Sequence, residues 1–489
     1  MQGGGVRCVM GATMTTKCLS WVLVSMVGLM GEPVMQAGER PNVLFLFADD
    51  YSFEALGAVG MVDVETPNLD KLAARSVRFS HAYNMGSWSG AVCVASRAML
   101  NTGRYLWRAS AVDKKLGAEA AAGRMWSQMM KGAGYRTFMT GKWHVSYAAE
   151  KLFDETANVR AGMPKTVESS YNRPLPGVPD AWSPSDRSLG GFWEGGKHWS
   201  EVTADDAIGY LEKGKGAKEP FFMYVAFNAP HDPRQAPESF GAKYPKERVK
   251  VPVNFLPEYP HAEAMGAGKG LRDEKLAPFP RTEEAVKVHR GEYLALITHL
   301  DEQVGRVLAA LEASGEAERT WVFFTADHGL AVGHHGLMGK QNMYEPSLRV
   351  PFLAAGPGVK PGVVEAPIYL QDAMATALDV AGVKKPEHVE FQSLLPLIRG
   401  ESTRATAEPV YGAYLQLQRA VIADGMKLVV YPKAGVVRLF DLKADPEEMK
   451  DLAEVPEMKG KRAALLAKLR EVQAAMGDAL DLGKLAQPE

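Results

Sequence analysis

The chain has 489 residues, 46% of them apolar and 23% charged, with a formal net charge of −2. That balance is the one expected of a folded globular protein with room for two or three domains, and it excludes both a disordered chain and a protein that binds nucleic acid through bulk positive charge. Any anionic substrate must be held by a local cluster of cations.

Residues 1–37 read as a secretory signal peptide. Arg7 and Lys17 precede an apolar run over 19–30, and Val34-Met35-Gln36-Ala37 offers a small residue for cleavage. The run is short for a bilayer crossing, so the expectation is a periplasmic or secreted protein with no transmembrane span in its mature form. The glycine-rich stretch ahead of Met14 is unlike the start of a signal and points to translation from Met10 or Met14. Cys8 and Cys18 leave with the leader in either case, so Cys93 is the one cysteine downstream of it. An internal disulfide is then impossible, and stability rests on core packing and bound metal.

Past the leader, apolar runs of strand length end in polar, chemically capable residues. Residues 42–47 run into Asp49-Asp50, and 135–139 into Gly141-Lys142-Trp143-His144. Residues 221–227 lead to Pro230-His231, and 321–324 to Asp327-His328-Gly329. Continuous apolar strands suit a parallel sheet covered on both faces, and ligand sites in such sheets lie beyond the carboxyl ends of the strands. Helical spacing appears over 68–76, 293–311 and 373–381, the last stopping at Gly382. Segments 158–196 and 230–280 are rich in Pro, Gly and Ser and predict long irregular surface insertions. A boundary is expected near 400–407. It divides a larger domain over 38–403 from a C-terminal subdomain over 404–489, with strands near 418–422, 427–431 and 437–440 and a helix over 457–476. No internal repeat is present.

Asp49-Asp50 at a strand end is a candidate hard-cation site, because adjacent carboxylates repel unless a divalent ion neutralises them. Asp327 and His328 at another strand end add a carboxylate and an imidazole, and Cys93 adds a thiol. Arg97, Lys142, His144, His231 and Lys340 supply fixed or titratable positive charge. Taken alone, each has an ordinary reading as a solvated or core polar residue.

Together they form a pattern. Cys93-Val94-Ala95-Ser96-Arg97, followed by Ala-Met-Leu-Asn-Thr-Gly-Arg, resembles the Cys-x-Pro-x-Arg signature of type I sulfatases, with Ala95 in place of the proline. Gly-Lys-Trp-His, Pro-His-Asp-Pro, Asp-His-Gly and His335-Gly336 leading to Lys340 follow in the order of that family. The resemblance extends from Arg40-Pro-Asn-Val to Asp445-Pro-Glu. His334 stands where the family commonly has Glu or Gln, and neither His334 nor His335 is assigned chemistry.

This resemblance implies an α/β fold of the alkaline phosphatase-like class: a large, mixed, mostly parallel sheet flanked by helices, with a smaller C-terminal α+β domain. It implies that a maturation enzyme oxidises Cys93 to formylglycine, and that Asp49, Asp50, Asp327, His328 and the modified Cys93 hold one divalent metal. Calcium is the family's ion, and the imidazole of His328 keeps magnesium, manganese and zinc open. Arg97, Lys142 and Lys340 would clamp sulfate, His231 would protonate the leaving alcohol, and His144 would deprotonate the second hydroxyl so that sulfate departs.

The expected substrate is a sulfated glycan, with an aryl or choline sulfate as the lesser option. Trp182, Trp193, Trp199 and His198 are candidate sugar contacts, and equally candidates for core under a long loop. Two other functions compete. One is a phosphonate or phosphodiester hydrolase using the same nucleophile; the other is a silent sulfoglycan-binding protein whose Cys93 stays unmodified.

Overall fold

The computed structural model describes residues 40–482 and residue 485. The expected signal peptide over 1–37 lies outside them. Among the described residues, no helix is long and apolar enough to cross a membrane.

The apolar runs form the centre of an eight-stranded sheet. Asn42–Ala48 lies between Phe221–Ala226 and Thr320–Ala326, and Arg136–Lys142 pairs with the far side of Phe221–Ala226. These four strands are mutually parallel, and Glu155–Arg160 continues the parallel set at one edge. Phe352–Ala355 adds on antiparallel beside Thr320–Ala326, then Val77–Phe79 and Gly362–Val364 complete the other edge. Every residue of Asn42–Ala48 and Thr320–Ala326 is buried, which is why these runs carry no polar alternation. Phe45 packs edge-on against Trp126 from the helix Trp126–Gly132, and against Tyr224 on the neighbouring strand.

Register brings the chemically capable ends to one rim. Phe47 pairs with both Ala226 and Thr325, and Ala226 pairs with Gly141. Asp49, Lys142, Phe227 and Asp327 therefore leave the sheet side by side, at the carboxyl ends where a ligand crevice is expected. Gly141 is required for this closeness: its φ is +88°, and a Cβ there would meet the Ala226 carbonyl oxygen at 1.9 Å.

The helix expected over 293–311 is longer, running Glu283–Ala313. Its start is set by Thr282, whose hydroxyl accepts from the Ala285 amide, with Glu283 and Glu284 in the first turn. The helix near 68 spans Pro67–Ala74, and the one near 373 spans Asp372–Val380.

The described residues form one compact unit. Near the C-terminus, Val410–Tyr414, Gln418–Ala423, Met426–Tyr431 and Val436–Asp441 form an antiparallel meander, followed by the helix Lys459–Met476. The first of these strands had no clear sequence signal. It pairs in parallel with Gly86–Ser87, a short segment just ahead of Cys93, so the C-terminal sheet braces the chain that leads into the helix carrying the thiol.

The segments over 158–196 and 230–280 hold, besides the end of the strand Glu155–Arg160, only short helical turns such as Glu238–Gly241 and Ala262–Met265, and they are not simply surface. Trp182, Trp193 and Trp199 are all under 8% exposed, and His198 is fully buried. The three indoles lie beneath the guanidiniums of Arg173, Arg187 and Arg160 respectively. His198 accepts from the Ser200 amide at the start of the helix Trp199–Gly214 and contacts the Gln235 carbonyl. The structure thus seats these four residues in the core beneath the loops, where burying large rings stabilises the fold, and none of the four presents an open aromatic face to solvent.

Candidate active site

Cys93 is the second residue of the helix Val92–Thr102, which begins after extended Ala91 and stops at Gly103 in a left-handed conformation. First-turn amides lack partners within the helix, so this position suits an anionic group. Ala95, at the proline position of the signature, is fully buried in the same turn. The thiol is 3% exposed, with its Sγ 3.2 Å from His328 Nε2 and 3.6 Å from Lys340 Nζ. Burial and Asp49 push the thiol up; Lys142, Lys340 and His328 outweigh them and hold it well below the usual thiol range.

The carboxylates converge on the same point. Asp49, Asp50, Cys93 and His328 present ligand atoms that all lie within 4.8 Å of one another, and all four residues are buried. Lys142 donates to Asp49 Oδ2, while Lys340 lies 2.8 Å and 3.0 Å from the two oxygens of Asp50. Asp49 Oδ1 is buried with no hydrogen-bond partner among the described residues. A buried, unpaired carboxylate oxygen among three further donors fits a divalent cation: the carboxylates are hard ligands, and the imidazole and thiol are softer.

Asp327 sits at the edge of this group. Its Oδ2 accepts from Arg97 Nε at 2.9 Å and its Oδ1 from the His328 amide, leaving Oδ1 3.5 Å from His328 Nε2. Burial raises the Asp327 carboxyl, but His328 and Arg97 overcome it and bring it to about 2.

Arg97 faces these ligands more than any open space. Fully buried over the Phe47 ring, it donates from Nε to Asp327 and from Nη1 to the Lys142 carbonyl. Its Nη2 has no hydrogen-bond partner among the described residues and lies 3.9 Å from Asp49 Oδ1. Of the three expected sulfate clamps, Arg97 is therefore committed mainly to orienting carboxylates.

His231 enters from the other side. Its Nδ1 is 2.8 Å from the Asp232 carbonyl and 3.2 Å from Asp232 Oδ1, so Nε2 is the nitrogen turned to the centre, 3.8 Å from Asp50 Oδ2. Asp50, His231 and Asp232 also cluster closely enough to hold an ion, but both Asp232 oxygens are already taken by Arg272.

His144 is not among the residues whose ligand atoms converge in this cluster. It is partly exposed, adopts φ +52°, and with Val94 and Trp143 lines an open groove of about 530 Å³. Its Nδ1 has no hydrogen-bond partner among the described residues.

His334 and His335 are structural. His334 lies between Glu54 and Asn254, and His335 stacks on Tyr344 with centroids 3.7 Å apart. Sequence reasoning missed Asp232, Arg272, Asp273 and Gln341. Asp232 was visible inside Pro-His-Asp-Pro, whereas Arg272 and Asp273 lie in an irregular stretch with no pattern to mark them.

A family model described as sulfatase matches residues 41–383, and one described as N-sulphoglucosamine sulphohydrolase, C-terminal, matches residues 333–475. A choline-sulfatase of Rhizobium meliloti is 29% identical over 468 residues, covering 90% of this chain and 87% of its own. An ulvan-active sulfatase of Formosa agariphila is also 29% identical, over 90% of this chain and 82% of its own. A solved structure described in complex with its substrate D-glucosamine-2-N,6-O-disulfate shares the fold with a TM-score of 0.69 at 22% identity, covering 91% of this chain and all of that one.

Proposed function

Because the chain belongs to the sulfatase family of the alkaline phosphatase-like superfamily and is a sulfuric ester hydrolase, we propose that it removes sulfate from a sulfated carbohydrate outside the cytoplasm. The nucleophile is a formylglycine made from Cys93 by a maturation enzyme. Asp49, Asp50, Asp327, His328 and the modified side chain hold one divalent metal, with calcium best suited to three carboxylates. The leader over 1–37 supports export. Residues 404–489 act as a subdomain that steadies the catalytic part over 38–403.

The observation that carries this reading is the position of Cys93. It lies in the first turn of a helix, within 3.6 Å of an ammonium and 3.2 Å of an imidazole, and in one ligand cluster with Asp49 and Asp50. A bound metal would neutralise sulfate oxygens and acidify a hydroxyl, and hydrated formylglycine would provide one hydroxyl for attack and a second for release. The chain's own residues do the rest. Lys142 and Lys340 bring positive charge to the sulfate oxygens, where charge grows during the reaction. Arg97 keeps Asp327 and the loop of Lys142 in place. His231, with Nδ1 engaged by Asp232, turns Nε2 toward the departing alcohol and delivers the proton that makes it a competent leaving group. His144 takes the proton whose removal frees sulfate.

The ulvan-active relative supports a glycan substrate. The choline-sulfatase relative makes choline sulfate the first small ester to compare. The test uses protein produced together with a formylglycine-generating enzyme, assayed on defined monosulfated sugars, choline sulfate, a nitrophenyl sulfate and a nitrophenyl phosphonate ester. The expected result is the highest kcat/KM on one of the sulfated sugars. A large preference for the phosphonate, or no turnover by fully matured protein, overturns the proposal.

A further inference from the structure

Arg272 comes from the irregular stretch over 230–280, yet it ends at the catalytic cluster. Its two terminal nitrogens grip both oxygens of Asp232, Nη2 to Oδ1 at 3.0 Å and Nη1 to Oδ2. The same Nη2 donates to Asp273 Oδ1. Asp273 Oδ2 in turn accepts from Gln341 Nε2 at 2.9 Å and lies 4.0 Å from Lys340 Nζ. Asp232 is 4% exposed and contacts His231 Nδ1 with both its carbonyl and its carboxylate. A two-point guanidinium grip fixes the plane of a carboxylate as well as its charge. Without it, Asp232 would be a buried and uncompensated anion, free to rotate away from the imidazole toward the nearest ammonium.

We infer that Arg272 is a positioning residue: by clamping Asp232 it holds the His231 ring with Nε2 facing the departing alcohol. The inference rests on the reading of His231 as proton donor. Arg272 itself touches neither the thiol nor the metal ligands, and its side chain remains one-third exposed at the rim. Its effect on the imidazole therefore travels through Asp232. A purely structural role, anchoring the 230–280 stretch, predicts something different: equal losses on all substrates together with a lower melting temperature.

The experiment compares wild type with Arg272→Ala, Arg272→Lys, Asp232→Asn, His231→Ala and the double variant His231→Ala/Arg272→Ala. Each is matured and assayed on the best sulfated sugar of the panel above and on a nitrophenyl sulfate, whose leaving group needs no proton. Thermal melting is recorded for every variant. Arg272→Ala is expected to lower kcat on the sugar sulfate by about 10- to 100-fold, with KM within about twofold and the nitrophenyl ester losing less than about threefold. Arg272→Lys should recover part of the loss, and Arg272→Ala should add little once His231 is absent.

Equal losses on both esters, full additivity with His231→Ala, or undiminished sugar turnover each overturn the inference. If His231→Ala also fails to discriminate between the esters, the proton-donor reading falls too; if only the Arg272 variants fail to discriminate, the inference falls alone. Should Arg272→Ala not fold, Arg272→Lys and Asp232→Asn carry the same comparison.

Discussion

The imidazole Nε2 of His328 lies 3.2 Å from the Sγ of Cys93, although 235 positions separate the two residues in sequence. Burial pulls His328 down, but Asp327, Cys93 and Asp50 outweigh it and raise the ring to about 9. The same surroundings hold the Cys93 thiol well below the usual thiol range. That setting suits a side chain that is altered before use better than one kept as a working thiol.

Cys93 is therefore expected to be found as formylglycine in protein from the native host. Mass spectrometry of the peptide spanning Cys93 reads this directly. Cys93→Ala should lose at least about a thousandfold in kcat while its melting temperature stays near that of wild type, since a nucleophile is removed and little packing is lost. Active protein carrying only unmodified thiol would sink the mechanism.

Metal removal should abolish activity and reduce stability together. An ion that binds only the folded chain contributes about 4 kcal/mol at a thousandfold excess over its Kd, and chelation removes that contribution. Asp49→Ala should reproduce both effects, because Asp49 is fully buried and supplies the unpartnered Oδ1. Calorimetry and turnover after chelation, with elemental analysis to confirm depletion, check this. Full activity in metal-free protein removes the ion from the reaction.

Gly141→Ala should destabilise the protein by at least about 2 kcal/mol, through a positive-φ backbone and a collision with the neighbouring strand. The added Cβ would meet the Ala226 carbonyl at 1.9 Å, so the strand ends must separate. Lys142 is the next residue and its carbonyl anchors Arg97; turnover should drop even in the fraction that remains folded. Urea denaturation alongside activity measurements distinguishes this from a neutral substitution.

Acid should find a weak point at Glu54. Burial raises this carboxyl, but His334 at 3.1 Å and Arg290 at 3.2 Å overcome it and bring it from 4.5 to about 2. A depressed carboxyl stabilises the fold above its unfolded value, and that contribution is lost as pH falls from about 4.5 to about 2. Glu54→Gln should cost up to about 3 kcal/mol at pH 7, and the gap to wild type should shrink steadily below pH 4.5. Chemical denaturation of both proteins across this range measures the gap; a difference independent of pH would assign the loss to packing.

Much of the centre was legible because its signals are local. A buried parallel strand must be apolar throughout, so the runs before Asp49-Asp50, Gly141-Lys142, Pro230-His231 and Asp327-His328 mark both the sheet and the rim where chemistry collects. A lone cysteine ahead of Arg97 marks the candidate nucleophile in the same way. Tertiary structure decided what depends on distant partners. The tryptophans over 182–199 became core because Arg160, Arg173 and Arg187 and the returning chain cover them. The segment Gly86–Ser87 became a strand only because Val410–Tyr414 lies beside it. Arg272 reached Asp232 across 40 positions of chain in which the helices, Glu238–Gly241 and Ala262–Met265, are short. Hydrophobic period and motif spacing act over a few residues and can be read from the chain; a buried ion pair or a two-residue strand has no such period and exists only where the folded backbone brings its halves together.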